Sequence, residues 1–168
     1  MSEHDVPEIL KKRSSGKLPA EELESRILKF LSSRQIGVLA TCKDNVPRAT
    51  PIEFRSKGLK LFMAAEPGTK IRNIQTNANV SVGIFDPKME TTHDWLDVEG
   101  LQISGRARLI RKGDPAFLDA FRIFGKPEQW TLNWAGMMLE IIPDTIEYLC
   151  IALKLEDYTA RQIWTRPA

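Results

Sequence analysis

The stretch IGVLATCKDNVPRATPIEFRSKGLKLFMAAEPGTKIRNIQTNANVSVGIFD, residues 36–86, decides how this chain reads. Apolar runs of strand length alternate in it with turn residues. Ile36 to Cys42 is almost wholly apolar, which predicts a strand covered on both faces. Lys43-Asp44-Asn45 is a turn, since Asp and Asn cap locally and tolerate the left-handed region. Val46 to Phe54 is a second strand, and Pro47 and Pro51, which cannot donate to a ladder, place it at an edge or a bulge. Ser56-Lys57-Gly58 leads into a third strand, Leu59 to Ala65. Pro67-Gly68-Thr69 then opens a short helix with Thr69 as N-cap and Ile71 and Ile74 inward. Asn77-Ala78-Asn79 ends it, and Val80 to Phe85 is a fourth strand.

Outward from this centre the pattern continues. Residues 1–18 are polar, broken by Ser14, Ser15 and Gly16, and read as an arm on a single domain of residues 19–168. Pro19 suits the first turn of a helix whose inner face is Leu23, Ile27, Phe30 and Leu31. After a loop from Asp86 to Asp97, Val98 to Ile110 is a long strand with Gly100 and Gly105 as bend or bulge points. Asp114-Pro115 starts a helix with Phe117, Leu118, Phe121 and Phe124 inward, and Gly125-Lys126-Pro127 stops it. Met137 to Ile142 and Thr145 to Ile151 read as a hairpin across Pro143-Asp144, with Arg161 to Trp164 as a last strand. Sequential antiparallel strands with inserted helices predict a mainly β fold, a small barrel with peripheral helices, rather than a doubly wound sheet.

Composition narrows the function classes. The 24 basic and 22 acidic residues among 168 leave a formal charge of +2, so no global field favours nucleic acid or an acidic membrane. Met1 to Pro7 is polar with no apolar h-region after it, and no apolar run approaches the ~20 residues of a membrane span. Cys42 and Cys150 sit in strand contexts without metal spacing and read as reduced thiols of a cytoplasmic protein. His4 and His93 are too scattered for a metal site. The basic run Lys11, Lys12, Arg13 and Lys17 carries no interleaved aromatics and reads as a solvated tail.

Two features look like neither ordinary core nor ordinary surface. Period-2 alternation puts Arg48 on one face with Val46, Thr50, Ile52 and Phe54. A guanidinium there must be paired, either with a carboxylate such as Glu53 or Glu99 or with an anionic ligand that suits its planar fork. Lys70 and Arg72 stand in the first turn of a helix, where cations oppose the dipole unless an anion is bound. Arg72 reads as merely exposed, whereas Lys70 after Gly68 and Thr69 reads as a phosphate contact. The order Gly-Thr-Lys is not a Walker A loop, and no G-x-G-x-x-G follows a strand.

The segments TCKDNVPRATPIEF, LKLFMAAEPGTKIRNIQTNANVSVGIF and LDVEGLQISGRARLI resemble those of the FMN-binding split-barrel proteins related to pyridoxamine 5′-phosphate oxidase. The resemblance rests on Arg48-x-x-Pro51, on Lys70-x-x-Asn73 and on Gly105-x-Ala107, in that order and spacing. It implies a Greek-key-like antiparallel split barrel, forming a homodimer with FMN at the subunit interface. It also implies that Arg48, Lys70 and the Thr69 hydroxyl hold the FMN phosphate. The backbone of Ala49 and Thr50, and of Phe62, Met63 and Ala64, would lie along the flavin, and Gln102 would approach from the partner. Some relatives hold a deazaflavin or haem instead. Gly68-Thr69-Lys70 stands where the oxidases proper carry Ser-Arg-Lys, and Arg161-Gln162-Ile163-Trp164 lacks their substrate-side histidine. The resemblance is therefore to the wider family and not to an enzyme making pyridoxal phosphate.

No side chain stands out as a catalytic acid or base. The expectation is an oxidoreductase passing hydride or electrons between a reduced nicotinamide and a small molecule or oxygen. The alternative is a non-catalytic flavin- or haem-binding carrier or sensor. His93 with Trp95, the pair Trp130 and Trp134, and Trp164 could each face a ligand or serve only structure.

Overall fold

Inward residues alternate with outward ones along each strand, and in the computed structural model, which describes residues 7–131 and 134–167, that alternation wraps the sheet around one core. The strands are β1 (Ile36–Lys43), β2 (Val46–Lys57), β3 (Lys60–Ala65), β4 (Asn79–Phe85), β5 (Glu99–Ile110), β6 (Met137–Cys150) and β7 (Arg161–Thr165). They run in the order β3-β2-β1-β4-β5-β6-β7, and β3 pairs back onto β6, which closes the first six into an antiparallel barrel. Leu39, Phe54, Met63, Val82, Ile103 and Leu139 fill it with no exposed surface. No helix among the described residues is long and apolar enough to cross a membrane.

The helices are α1 (Glu8–Lys11), α2 (Ala20–Ser32), α3 (Thr69–Thr76), α4 (Met89–Thr92) and α5 (Phe117–Ile123). α2 buries Leu23, Ile27, Phe30 and Leu31 against the barrel, with Pro19 just outside its first turn. α3 caps one barrel end with Ile71 and Ile74. The Asn73 amide donates to the Thr41 hydroxyl at 3.1 Å, which pins α3 to β1. α5 covers a second, smaller core outside the barrel, built from Phe62, Ile110, Phe117, Phe121, Phe124 and Met138. The arm before α2 also packs down: Gly16 bridges to Tyr158, and the Leu18 N–H donates to the Gln162 side chain at 3.1 Å.

Several sequence expectations change. β1 is covered on its inner face only: Ile36 is 63% exposed, and buried residues alternate with half-buried ones. Its apolar outer face is therefore surface within one chain. The N-cap of α3 is Gly68, and Thr69 is its first helical residue, its hydroxyl accepting from Arg72 instead of capping the helix. Leu118 points outward, because α5 starts at Phe117 rather than beside Pro115. The hairpin expected across Pro143-Asp144 is one continuous strand. β6 continues through Pro143 with one residue left over: Ser104 pairs with Thr145 and Gly105 with Pro143, so Asp144 is unpaired where the register shifts. The register does shift at Gly105, but the extra residue is Asp144 on β6, and that bulge is what lets a proline sit in a ladder.

Candidate functional site

The site begins where two strands part. β2 and β3 pair from Lys57–Lys60 to Phe54–Met63, and there the ladder ends. Beyond it, residues 46–53 of β2 pair with β1, while Ala64 and Ala65 pair with β6. The result is a cleft with one open backbone edge on each wall. Pro47 and Pro51 lie on the β2 wall, where a missing N–H leaves no gap in a second ladder.

Arg48 stands opposite Thr41, the same residue that receives Asn73 from α3. The helix start and the guanidinium strand are thereby tied to one point of β1. The Arg48 face of β2 emerges from the barrel stepwise: Phe54 is buried, Ile52 and Thr50 are half-buried, and Arg48 and Val46 are exposed. The expectation of Arg48 among apolar neighbours is corrected accordingly, since alternation gives its face but the strand has left the core by then. Its two candidate carboxylates are taken. Glu53 pairs with Arg55 at 2.8 Å, and Glu99 accepts from the Tyr148 hydroxyl at 2.5 Å. Among the described residues, neither Arg48 nor Lys70 has a hydrogen-bond or ion-pair partner.

Three further observations fit an anion here. The Thr50 hydroxyl is buried without a partner, a state that costs about 1–3 kcal/mol if nothing fills it. The first turn of α3 holds no acidic residue, and its N-cap makes no side-chain hydrogen bond, so its leading N–H groups are free. Gly68 is extended, and a Cβ built there would meet nothing within 4 Å among the described residues. Neither its backbone angle nor its neighbours require glycine, which leaves open space before Lys70.

Residues 23–150 match the family model described as pyridoxamine 5′-phosphate oxidase. The chain belongs to the pyridoxamine 5′-phosphate oxidase family. Among solved structures it is similar to the FAD-binding protein of Mycobacterium smegmatis, at 25% identity over 77% of this chain and 93% of that one, TM-score 0.53. An FAD-binding protein of Mesorhizobium loti matches at 21% identity, over 77% and 90% of the two chains, TM-score 0.58. The haem storage protein HutZ of Vibrio cholerae matches at 17%, over 72% and 89%, TM-score 0.59. No curated protein matches the sequence.

Within this member of the pyridoxamine 5′-phosphate oxidase family, the other expected contacts are spread over several surfaces. Ala49 is exposed on the β2 wall, opposite Ala40. Phe62 points outward into the core beneath α5, and Met63 points into the barrel. The backbones of both are engaged by β2 and β6, which leaves Ala64 as the β3 residue with a free edge on the cleft. Gln102 lies on the outer face of β5, in register with Gly83 and Glu147. β4 and β1 separate it from β2, so one chain does not bring it to Arg48.

The remaining candidates resolve into structure or surface. His93 is an exposed loop residue with left-handed backbone, φ 53°. Trp164 donates to Glu24 at 3.0 Å and docks the tail on α2. Trp130 and Trp134 share no helix; Trp130 sits in a 3₁₀ turn, and Trp134 lies against Phe117 and Phe121. The sequence reading missed the cavity these rings form with Phe124, Lys126 and Ala64, because its walls come from α5, the segment after it and β3, which are far apart in the chain. Among the described residues no group of three His, Cys, Asp or Glu is placed to hold a metal ion.

Two buried titratable groups are poor acid–base candidates. Burial, then the Glu99 carboxylate, pushes the Tyr148 phenol well above its ordinary value, and burial raises the Cys150 thiol. Both stay protonated at neutral pH. A raised phenol stabilises the fold fully below its unfolded value of about 10, and that contribution is lost as pH rises through the folded value. Tyr148→Phe is therefore expected to be less stable at neutral pH by about 1 kcal/mol, the size of one hydrogen bond, yet to lose less on alkalinisation. Urea midpoints at pH 8 and pH 11 check this, and equal losses in both proteins would contradict it.

Proposed function

We propose that this protein binds FMN in the cleft between β2 and β3, and that it acts as an oxidoreductase between a reduced nicotinamide and a small molecule or oxygen. The observation that carries the reading is the pair of unpartnered cations, Arg48 and Lys70, beside the orphaned Thr50 hydroxyl and the open start of α3. Arg48 would grip the phosphate with its fork, Lys70 would add a point charge, and the Thr69 hydroxyl a polar contact. The open edges of β2 and of Ala64 would meet the polar rim of the ring system. A bound flavin supplies the hydride and electron chemistry itself. The likeness to FAD-binding proteins supports a flavin, and the resemblance of Arg48-x-x-Pro51 and Lys70-x-x-Asn73 to the FMN-binding split barrels supports FMN within that class.

Pairing of two copies is part of the proposal. The outer face of β1 and β4 exposes Ile36 at 63% and Phe85 at 61%. Gly83 between them has open space where a Cβ would stand, a feature that suits close approach of a second backbone. Gln102 lies on the same face, and a second copy would carry it to the cleft. The second reading, a carrier or store, is favoured by the likeness to a haem storage protein.

The absorbance spectrum of the purified protein, with heat release of whatever is bound, tests the proposal. A flavin spectrum with FMN released is expected. Bleaching by NADH or NADPH under nitrogen then supports turnover, and a bound flavin that neither reduces leaves the carrier reading. A Soret band would replace the flavin by haem, and a deazaflavin would be recognised by its mass. A colourless protein that takes up no added FMN overturns the reading.

A further inference from the structure

We infer that the aromatic cavity beneath α5 is a binding site for a planar aromatic anion, a fused or conjugated ring bearing a carboxylate or similar oxygen. As the substrate pocket of the cleft it rests on the FMN reading above; as a binding site it does not. The cavity is about 410 Å³ and is lined by Ala64, Phe121, Phe124, Lys126, Trp130 and Trp134. That size and an apolar wall with one polar group are those of a small-molecule site.

The posture of the rings is built into the chain. Trp134 lies against Phe121 with centroids 5.8 Å apart and against Phe117 at 6.4 Å. A Cβ on Gly136 would stand 2.1 Å from the Trp134 ring, so a glycine is what lets that indole lie where it does. Trp130 is 57% exposed at the cavity's edge. An indole so placed gains little from the core, but it offers a face on which a flat ligand can stack.

Lys126 sets the sign of the ligand. Its ammonium is 5.9 Å from the centroids of both Phe124 and Trp130. It has no carboxylate partner among the described residues. The neighbouring cation on the same wall, Arg55 over Phe124, is already neutralised by Glu53 at 2.8 Å. One uncompensated positive charge thus faces an aromatic box. A neutral ring would fill the box and leave the ammonium with ring faces alone, whereas an aromatic anion would also give it an opposite charge. The wall residue Ala64 is also the β3 residue whose free edge lines the cleft, so box and cleft share a wall.

The test uses the purified full chain with 2-naphthoate as probe and 2-naphthalenemethanol as its neutral counterpart. Binding is read by calorimetry and tryptophan quenching, with and without added FMN. One naphthoate per chain is expected. Lys126→Met should weaken naphthoate about tenfold or more while leaving the alcohol unchanged. Trp130→Ala, at an exposed position that does not threaten folding, should weaken both. Naphthoate should also shift the flavin spectrum without displacing FMN. Absence of binding, or binding indifferent to both variants, overturns the site, and competition with FMN would assign the box to the flavin itself. A protein that binds naphthoate in this pattern but takes up no FMN keeps the aromatic-anion site and removes the flavin reading instead.

Discussion

Arg48→Ala is expected to yield a folded protein that no longer retains the proposed FMN through purification. The guanidinium is exposed at the cleft and has no partner within the described chain, so removing it breaks no internal contact. Unfolding free energy of the flavin-free protein should change by no more than about 0.5 kcal/mol. Affinity behaves otherwise. A hydrogen bond to a charged group is worth about 1.5–3 kcal/mol, which is ~10–150-fold in dissociation constant per contact. A bidentate grip reaches the upper part of that range. Arg48→Lys keeps the charge and loses the fork, and should fall between wild type and Ala. FMN titration followed by flavin fluorescence, beside a thermal melt of the flavin-free proteins, checks both halves. An unchanged FMN affinity would remove Arg48 from the site. A large fall in melting temperature without flavin would mean that its role is structural.

Gly105→Ala should be strongly damaging to the fold although it adds a single methyl group. A Cβ at this position would stand 2.3 Å from the Ile142 carbonyl oxygen and 2.8 Å from the Pro143 Cα. Both are backbone atoms in the middle of a ladder, so no side chain can swing away. β5 and β6 must separate where the register shift already weakens them. Overpacking of this kind costs about 3 kcal/mol or more, and at ~2–4 °C per kcal/mol the melting temperature should fall by roughly 6–12 °C. Gly83→Ala is the matched control. Its Cβ meets nothing within 4 Å among the described residues, so the single chain should tolerate it, and any loss should appear in assembly or flavin uptake. Equal melting temperatures for the two variants would show that the β5–β6 bulge can relax.

Each of the two is an isolated Gly inside an apolar strand, and although Gly105 reads as a bend or bulge point, the sequence does not say what a side chain at either position would meet. The three-dimensional pairing supplies that, because one faces the proline bulge of its neighbour and the other faces open space. The same limit explains the misread hairpin. Pro143-Asp144 carries turn chemistry, and the strand that holds it extended is β5, whose Gly105 makes room for the bulge from a distant part of the chain. Leu118 faces outward for a related reason, since the helix starts after the turn that Asp114 caps and its inward face rotates with it.

By itself the sequence determined the strand succession from Ile36 to Ile110, because period-2 alternation and the turn residues at Asp44-Asn45 and Gly58 act within a few residues of each other. It also determined which residue types could meet a phosphate, since Arg48 and the Gly68-Thr69-Lys70 start of α3 are local anomalies of charge. Only the tertiary structure decided that Arg48 stands outside the core, that Glu53 and Glu99 are occupied elsewhere, and that the Thr50 hydroxyl lacks a partner. It alone placed Gln102 on a different face and gathered Trp130, Trp134 and Lys126 around Ala64. Alternation tells which side of a strand a residue takes. What lies across from that side depends on where the sheet closes and where β2 and β3 part, and pairings between distant segments set both.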